Sequence, residues 1–89
     1  MYDTPLENAA SAVRVKIREI ILKHKVRQFA LREIADTYKI STYRAKLVYY
    51  ATVYGCTAAT IVDLMQCNDE YVDHWVQTRP AIVPIIREL

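Results

Sequence analysis

Gly55 is the only glycine among 89 residues, and Pro5, Pro80 and Pro84 are the only prolines. Tight hairpin turns draw on those two residue types, so the chain has little room for a sheet-rich fold. Apolar residues recur instead at helical spacing, first at Leu6, Ala10, Val13, Ile17, Ile20 and Ile21. Thr4 is placed to cap the first amides, Pro5 suits the first helical position, and Glu7 completes a capping box. A helix is therefore expected over about 5–25, with Arg14, Arg18, Lys23 and Lys25 on its polar edge. Val15 and Leu22 lie off the apolar stripe, so this helix is expected to bury two sides.

The segment from Leu31 to Tyr50, LREIADTYKISTYRAKLVYY, has the pattern of a short helix, a tight turn and a second helix. Leu31, Ile34, Ala35 and Tyr38 face inward on the first, over about 30–38. Ile40 closes the turn, Ser41 or Thr42 caps the second, and Ala45 and Val48 repeat the inward spacing to about Val53. Small Ala35 leaves room for a close helix crossing. This segment resembles the helix-turn-helix of DNA-binding regulators. That family's turn usually carries glycine just before its apolar residue, where this chain has Lys39, a residue that adopts a left-handed conformation only at some cost.

Gly55 fits a left-handed helix stop, and Thr57 caps a helix over about 58–66. The pattern then returns: Cys67 takes the place of Ile40, Asn68 that of the cap, and Val72 and Trp75 those of Ala45 and Val48. A second, similar hairpin is expected over about 57–78. Pro80 ends it, and the tail AIVPIIREL is too apolar to lie free in water.

Residues 1–50 carry ten basic and five acidic side chains, and residues 51–89 two and five, so a net +5 half precedes a net −3 half. The first suits a polyanion and the second does not. The resemblance implies that the second helix enters a major groove by its N-terminal part. Arg44 and Tyr43 would then read bases, with Thr42 and Tyr50 beside them, while Arg32, Lys39 and Lys46 would hold phosphates. The second hairpin opens Asn68-Asp69-Glu70 and adds Asp73, acids that favour a helix N-terminus but repel phosphate. Trp75 reads as core. Tyr43, Tyr50 and Tyr54 fall near one helix face, as a stacking platform, an interface or half-buried rings.

Cys56 and Cys67 form no C-x-x-C pair, and His24 and His74 stand at no ligand-like spacing from them, so no metal site is expected. No phosphate loop or catalytic constellation is legible, so neither catalysis nor a cofactor is expected. No apolar run reaches the roughly 18 residues of a membrane span. The start lacks the features of a signal peptide, so a cytoplasmic protein with reduced thiols is expected.

The expectation is one all-α domain, residues 1–89, of five to six short helices. It has a helix-turn-helix at about 31–53, a similar hairpin at 57–78 and an apolar tail at 80–89. In size and arrangement it resembles small phage or mobile-element regulators, which implies sequence-specific binding of double-stranded DNA. The alternative is a helical protein-interaction module acting on a repressor, polymerase or nuclease. A homodimer through residues 80–89 is expected, against the competing possibility that the tail folds back on the monomer core.

Overall fold

The computed structural model describes residues 5–89. They form an all-α domain: α1 (Pro5–Lys23), α2 (Arg27–Tyr38), α3 (Thr42–Val53), α4 (Ala58–Gln66), α5 (Asp69–Gln77), a 3₁₀ turn (Pro80–Ile82) and α6 (Val83–Glu88). The expected cap at Thr4 and its box partner Glu7 lie outside the described residues and side chains.

Three of the helix starts follow from single polar side chains. Ser41 Oγ accepts from the Arg44 amide at 3.1 Å, Thr57 Oγ1 from the Thr60 amide at 3.2 Å, and Asn68 Oδ1 from the Tyr71 amide at 2.9 Å. Each satisfies one of the amides a helix leaves open at its start. Helix α2 begins three residues before the expected Ala30, because its first turn needs no side-chain cap: the Phe29 and Ala30 amides donate to the Val26 carbonyl at 3.1 and 3.4 Å. Helix α1 stops at Lys23, short of the expected 25. Glu33 secures the corner there, accepting from Lys23 Nζ at 3.1 Å and bonding His24 Nε2 at 2.7 Å.

The turn between α2 and α3 is left-handed at Lys39, with φ 54° and ψ 47°. Its own amide and that of Ile40 both donate to the Ala35 carbonyl, so the local bonds hold a conformation that lysine disfavours. Gly55, at φ 79°, makes the corresponding stop after α3. The second hairpin repeats the cap but not the backbone of the first: Cys67, between α4 and the Asn68 cap, is extended at φ −71°, ψ 161°. The two hairpins therefore share an apolar turn residue and a polar cap, while their turns are built differently.

Helix α3 is the hub, touching α1, α2, α4 and α6. Ala45, Leu47, Val48, Ala51 and Thr52 are buried along it, and Thr52 satisfies its hydroxyl on the Val48 carbonyl at 2.9 Å. Around it a single core joins Ile17 and Ile20 of α1, Ala30, Leu31 and Ile34 of α2, Ile61 and Leu64 of α4, and Val72 and Trp75 of α5.

The tail completes that core. Ile82 and Ile86 are buried in it, and Leu89 packs against it. Of the expected dimer surface at residues 80–89, Ile82 and Ile86 are buried inside the monomer, while Val83, Ile85 and Leu89 stay half-buried, because Pro80 and the 3₁₀ turn carry α6 back onto α3. Val15 and Leu22 correct the expectation in the opposite sense: α1 buries one side only, and both residues stand in solvent, Leu22 at 80% exposure.

Candidate nucleic-acid interface

Seven residues were expected to face DNA, and the fold separates them into two sets. Arg32, Lys39, Thr42 and Tyr43 are exposed, and Lys46 is half-buried beside them. The left-handed Lys39 and the Ser41 cap place Thr42 and Tyr43 at the tip of α3. Two grooves flank that tip. One, of about 350 Å³, lies between α3, α5 and α6 and is lined by Thr42, Tyr43, Lys46, Val76, Ile86 and Arg87, among others. The other, of about 370 Å³, runs toward α2 and includes Thr42, Lys46, Arg32, Asp36 and Leu89. Thr42 and Lys46 line both grooves, with Arg32 lining one and Arg87 the other.

Arg44 belongs to the other set, and its expected role as a base reader does not match its position. Its side chain is only 15% exposed. Nη1 donates to the carbonyls of Leu64 and Met65, each at 3.3 Å, and to that of Cys67. Nη2 donates to Asp69 Oδ1 at 2.7 Å. The guanidinium thus caps the C-terminal end of α4, where helix carbonyls lack partners and the dipole is negative, and it ties the start of α3 to the start of α5. Position 44 lies on the inward side of α3, one turn before buried Leu47 and Val48 and in line with buried Ala51.

Tyr50 is likewise turned from the expected face. It is half-buried, stacks on Tyr54 with ring centroids 4.5 Å apart at 26°, and meets Trp75 edge-on at 6.4 Å. Tyr49 also packs against the core. The tyrosines of α3 therefore form no exposed platform of three rings; Tyr54 and Tyr43 are the exposed pair. Trp75 is core, and Arg79 sits over its ring with the guanidinium carbon 4.4 Å from the centroid.

The electrostatics of the tip are mixed. Among the described residues the ion pairs are Lys23–Glu33, His24–Glu33 and Arg44–Asp69. Arg32, Lys39, Lys46 and Arg87 thus have no carboxylate partner within that set. Against them stands Asp73: partial burial, and then the Asp73 charge, push the Tyr43 hydroxyl above its ordinary value. The acidic second hairpin therefore reaches the edge of the basic tip. Arg87 was absent from the expected site because the tail was assigned to an interface, and nothing in the sequence places its charge beside Lys46.

Among the described residues, no cluster of three or more His, Cys, Asp or Glu side chains is disposed to hold a metal ion. Cys56 and Cys67 are half-buried free thiols. No helix among them is long and apolar enough to cross a membrane. Compared with known proteins, the chain matches no family, no curated protein and no solved structure.

Proposed function

We propose that this chain is a small duplex-DNA-binding protein of the helix-turn-helix kind, acting in transcription or in marking a DNA site. The observation that carries the reading is the tip of α3. Thr42 and Tyr43 project there from a capped helix start, next to a left-handed turn, and Arg32, Lys39, Lys46 and Arg87 stand around them without carboxylate partners among the described residues. Thr42 and Tyr43 would approach base edges, and the four cations would hold phosphates. Arg44 takes no part in reading; it positions the tip. Helix α6 lies against the side of α3 and limits the approach to the N-terminal turn and Lys46.

An anisotropy titration against mixed-sequence duplex at two salt concentrations tests the proposal. Four phosphate contacts correspond to a slope of log K against log salt of roughly −3 to −4. Absence of binding by folded protein at about 50 mM salt, where phosphate contacts are strong, would reject it. The second reading is the protein-interaction module, favoured by the packing of α6 beside α3 and by Asp73 near Tyr43. It becomes the better account if DNA binding is absent.

A further inference from the structure

The groove between α3, α5 and α6 joins an apolar lining to two free cations. Val76, Val83 and Ile86 supply aliphatic carbon from α5 and α6, and Tyr43 adds an aromatic ring from α3. Ile86 is buried and Val76 and Val83 are half-buried, whereas Tyr43 and Arg87 are exposed. Lys46 and Arg87 line the same space from two different helices, and neither is ion-paired among the described residues. The volume, about 350 Å³, falls at the lower end of the roughly 300–1,000 Å³ of small-molecule sites. Such sites combine apolar walls with a few convergent polar groups that fix the ligand's orientation. Here the charged groups are both donors, so the ligand must bring the acceptor.

We propose that this groove binds a small organic carboxylate with an aliphatic or aromatic body. The body lies on Val76, Val83, Ile86 and the Tyr43 ring, and the carboxylate accepts from Lys46 and Arg87. Each simpler occupant matches only half of the lining. An inorganic anion leaves the aliphatic carbon in water, a neutral apolar molecule leaves both cations without an acceptor, and an organic cation is repelled. Asp73 bears on Tyr43, one turn of α3 before Lys46, so the negative end of the ligand belongs at Lys46 and Arg87 and its apolar end toward Tyr43. The groove shares Tyr43, Lys46 and Arg87 with the proposed DNA-facing tip. The inference does not rest on that reading, because the ligand is measured with no DNA present.

Titration of the full, isotope-labelled chain with phenylbutyrate, followed by amide NMR shifts, tests the assignment. Saturable shifts are expected at Tyr43, Lys46, Val76, Ile86 and Arg87, with a dissociation constant of about 0.1–2 mM for so small a ligand. Phenylbutyramide has the same shape and no charge. It is expected to bind roughly three- to tenfold more weakly, the worth of one or two partly exposed ion pairs. Arg87→Gln should reduce that preference for acid over amide, and adding Lys46→Gln should abolish it. Arg87 is exposed, so its replacement leaves the core untouched, and the spectrum itself reports that each variant is folded. Inorganic phosphate should bind more weakly than phenylbutyrate, since it covers none of the aliphatic lining. The absence of saturable shifts up to about 20 mM ligand overturns the proposal. So do shifts centred elsewhere, equal affinity for acid and amide, a preference that survives both substitutions, or phosphate that binds as tightly as phenylbutyrate.

Discussion

Arg44→Ala is expected to cost stability and leave DNA sequence preference intact. Nη1 carries two hydrogens and faces three carbonyls, so it makes one full bond, to Cys67, and shares the other hydrogen between Leu64 and Met65. A hydrogen bond to a charged group contributes about 1.5–3 kcal/mol, and a cation at a helix C-terminus about 0.3–1 kcal/mol more. The Asp69 contact adds little, since that carboxylate is 93% exposed and its attraction is screened by water. Water entering the vacated space would resolvate part of the α4 end. The net loss is therefore about 2–4 kcal/mol, a large share of the roughly 4–13 kcal/mol available to a domain of this size. It corresponds to a fall in melting temperature of roughly 8–32 °C.

Urea titration followed by circular dichroism measures that loss directly. Arg44→Lys should recover part of it, because one ammonium can reach a carbonyl but cannot span from α4 to α5 as the planar guanidinium does. Asp69→Asn should change stability by less than about 1 kcal/mol. DNA titration of Arg44→Ala, run at a temperature where the variant is folded, should show equal changes on preferred and random duplex. A variant that melts with the parent and loses discrimination between those duplexes would refute the structural role and restore Arg44 as a base reader.

Truncation after Arg79 removes buried Ile82 and Ile86, each contributing about 1.5–3 kcal/mol, and is expected to unfold or severely destabilise the chain; a folded truncated monomer by circular dichroism would contradict the core role of α6. Asp73→Asn should raise affinity for duplex DNA several-fold at low salt and lower the titration midpoint of Tyr43, and an unchanged affinity would place Asp73 away from the phosphates. Glu33 is held below the ordinary carboxylate value of 4.5, first by its bond to His24 and next by that to Lys23. A carboxylate depressed in the folded state stabilises above its unfolded value, and that contribution disappears as pH falls through the folded one. Glu33→Gln should therefore flatten the stability profile below about pH 4.5, and an unchanged acid limb in urea titrations would dismiss the corner as a source of stability.

The helices were legible because most of their boundaries are single-residue chemistry. Ser41, Thr57 and Asn68 cap as their side chains allow, and Gly55 stops α3 where the only glycine stands. The start of α2 was not, since Val26 supplies only a backbone carbonyl and leaves no side-chain signal. Lys39 shows the reverse: its identity argued against a left-handed turn, yet the bonds to the Ala35 carbonyl and the packing of Ile40 outweigh a penalty of about 1–2 kcal/mol. Arg44 was misplaced for a different reason. Its partners lie 20 to 25 residues away, at a helix end that local periodicity cannot bring near. Exposed Val15 and Leu22 were read as a second buried side because amphipathic spacing reports that a face is apolar and not what covers it.

What α3 can offer a partner follows from how it is held. A helix that reads a DNA groove usually exposes a whole stripe, while α3 is buried at Ala45, Leu47, Val48, Ala51 and Thr52, and Tyr50 packs toward Trp75. Helix α6 takes up more of the remaining side, where Ile86 and Val83 border the same groove as Tyr43 and Lys46. Arg44 pins the helix start to α4 and α5 from within. These restraints leave a short, rigid tip of Thr42 and Tyr43 ringed by cations. On the proposed reading, so small a contact implies modest sequence preference and strong salt dependence, since phosphate contacts would outnumber base contacts.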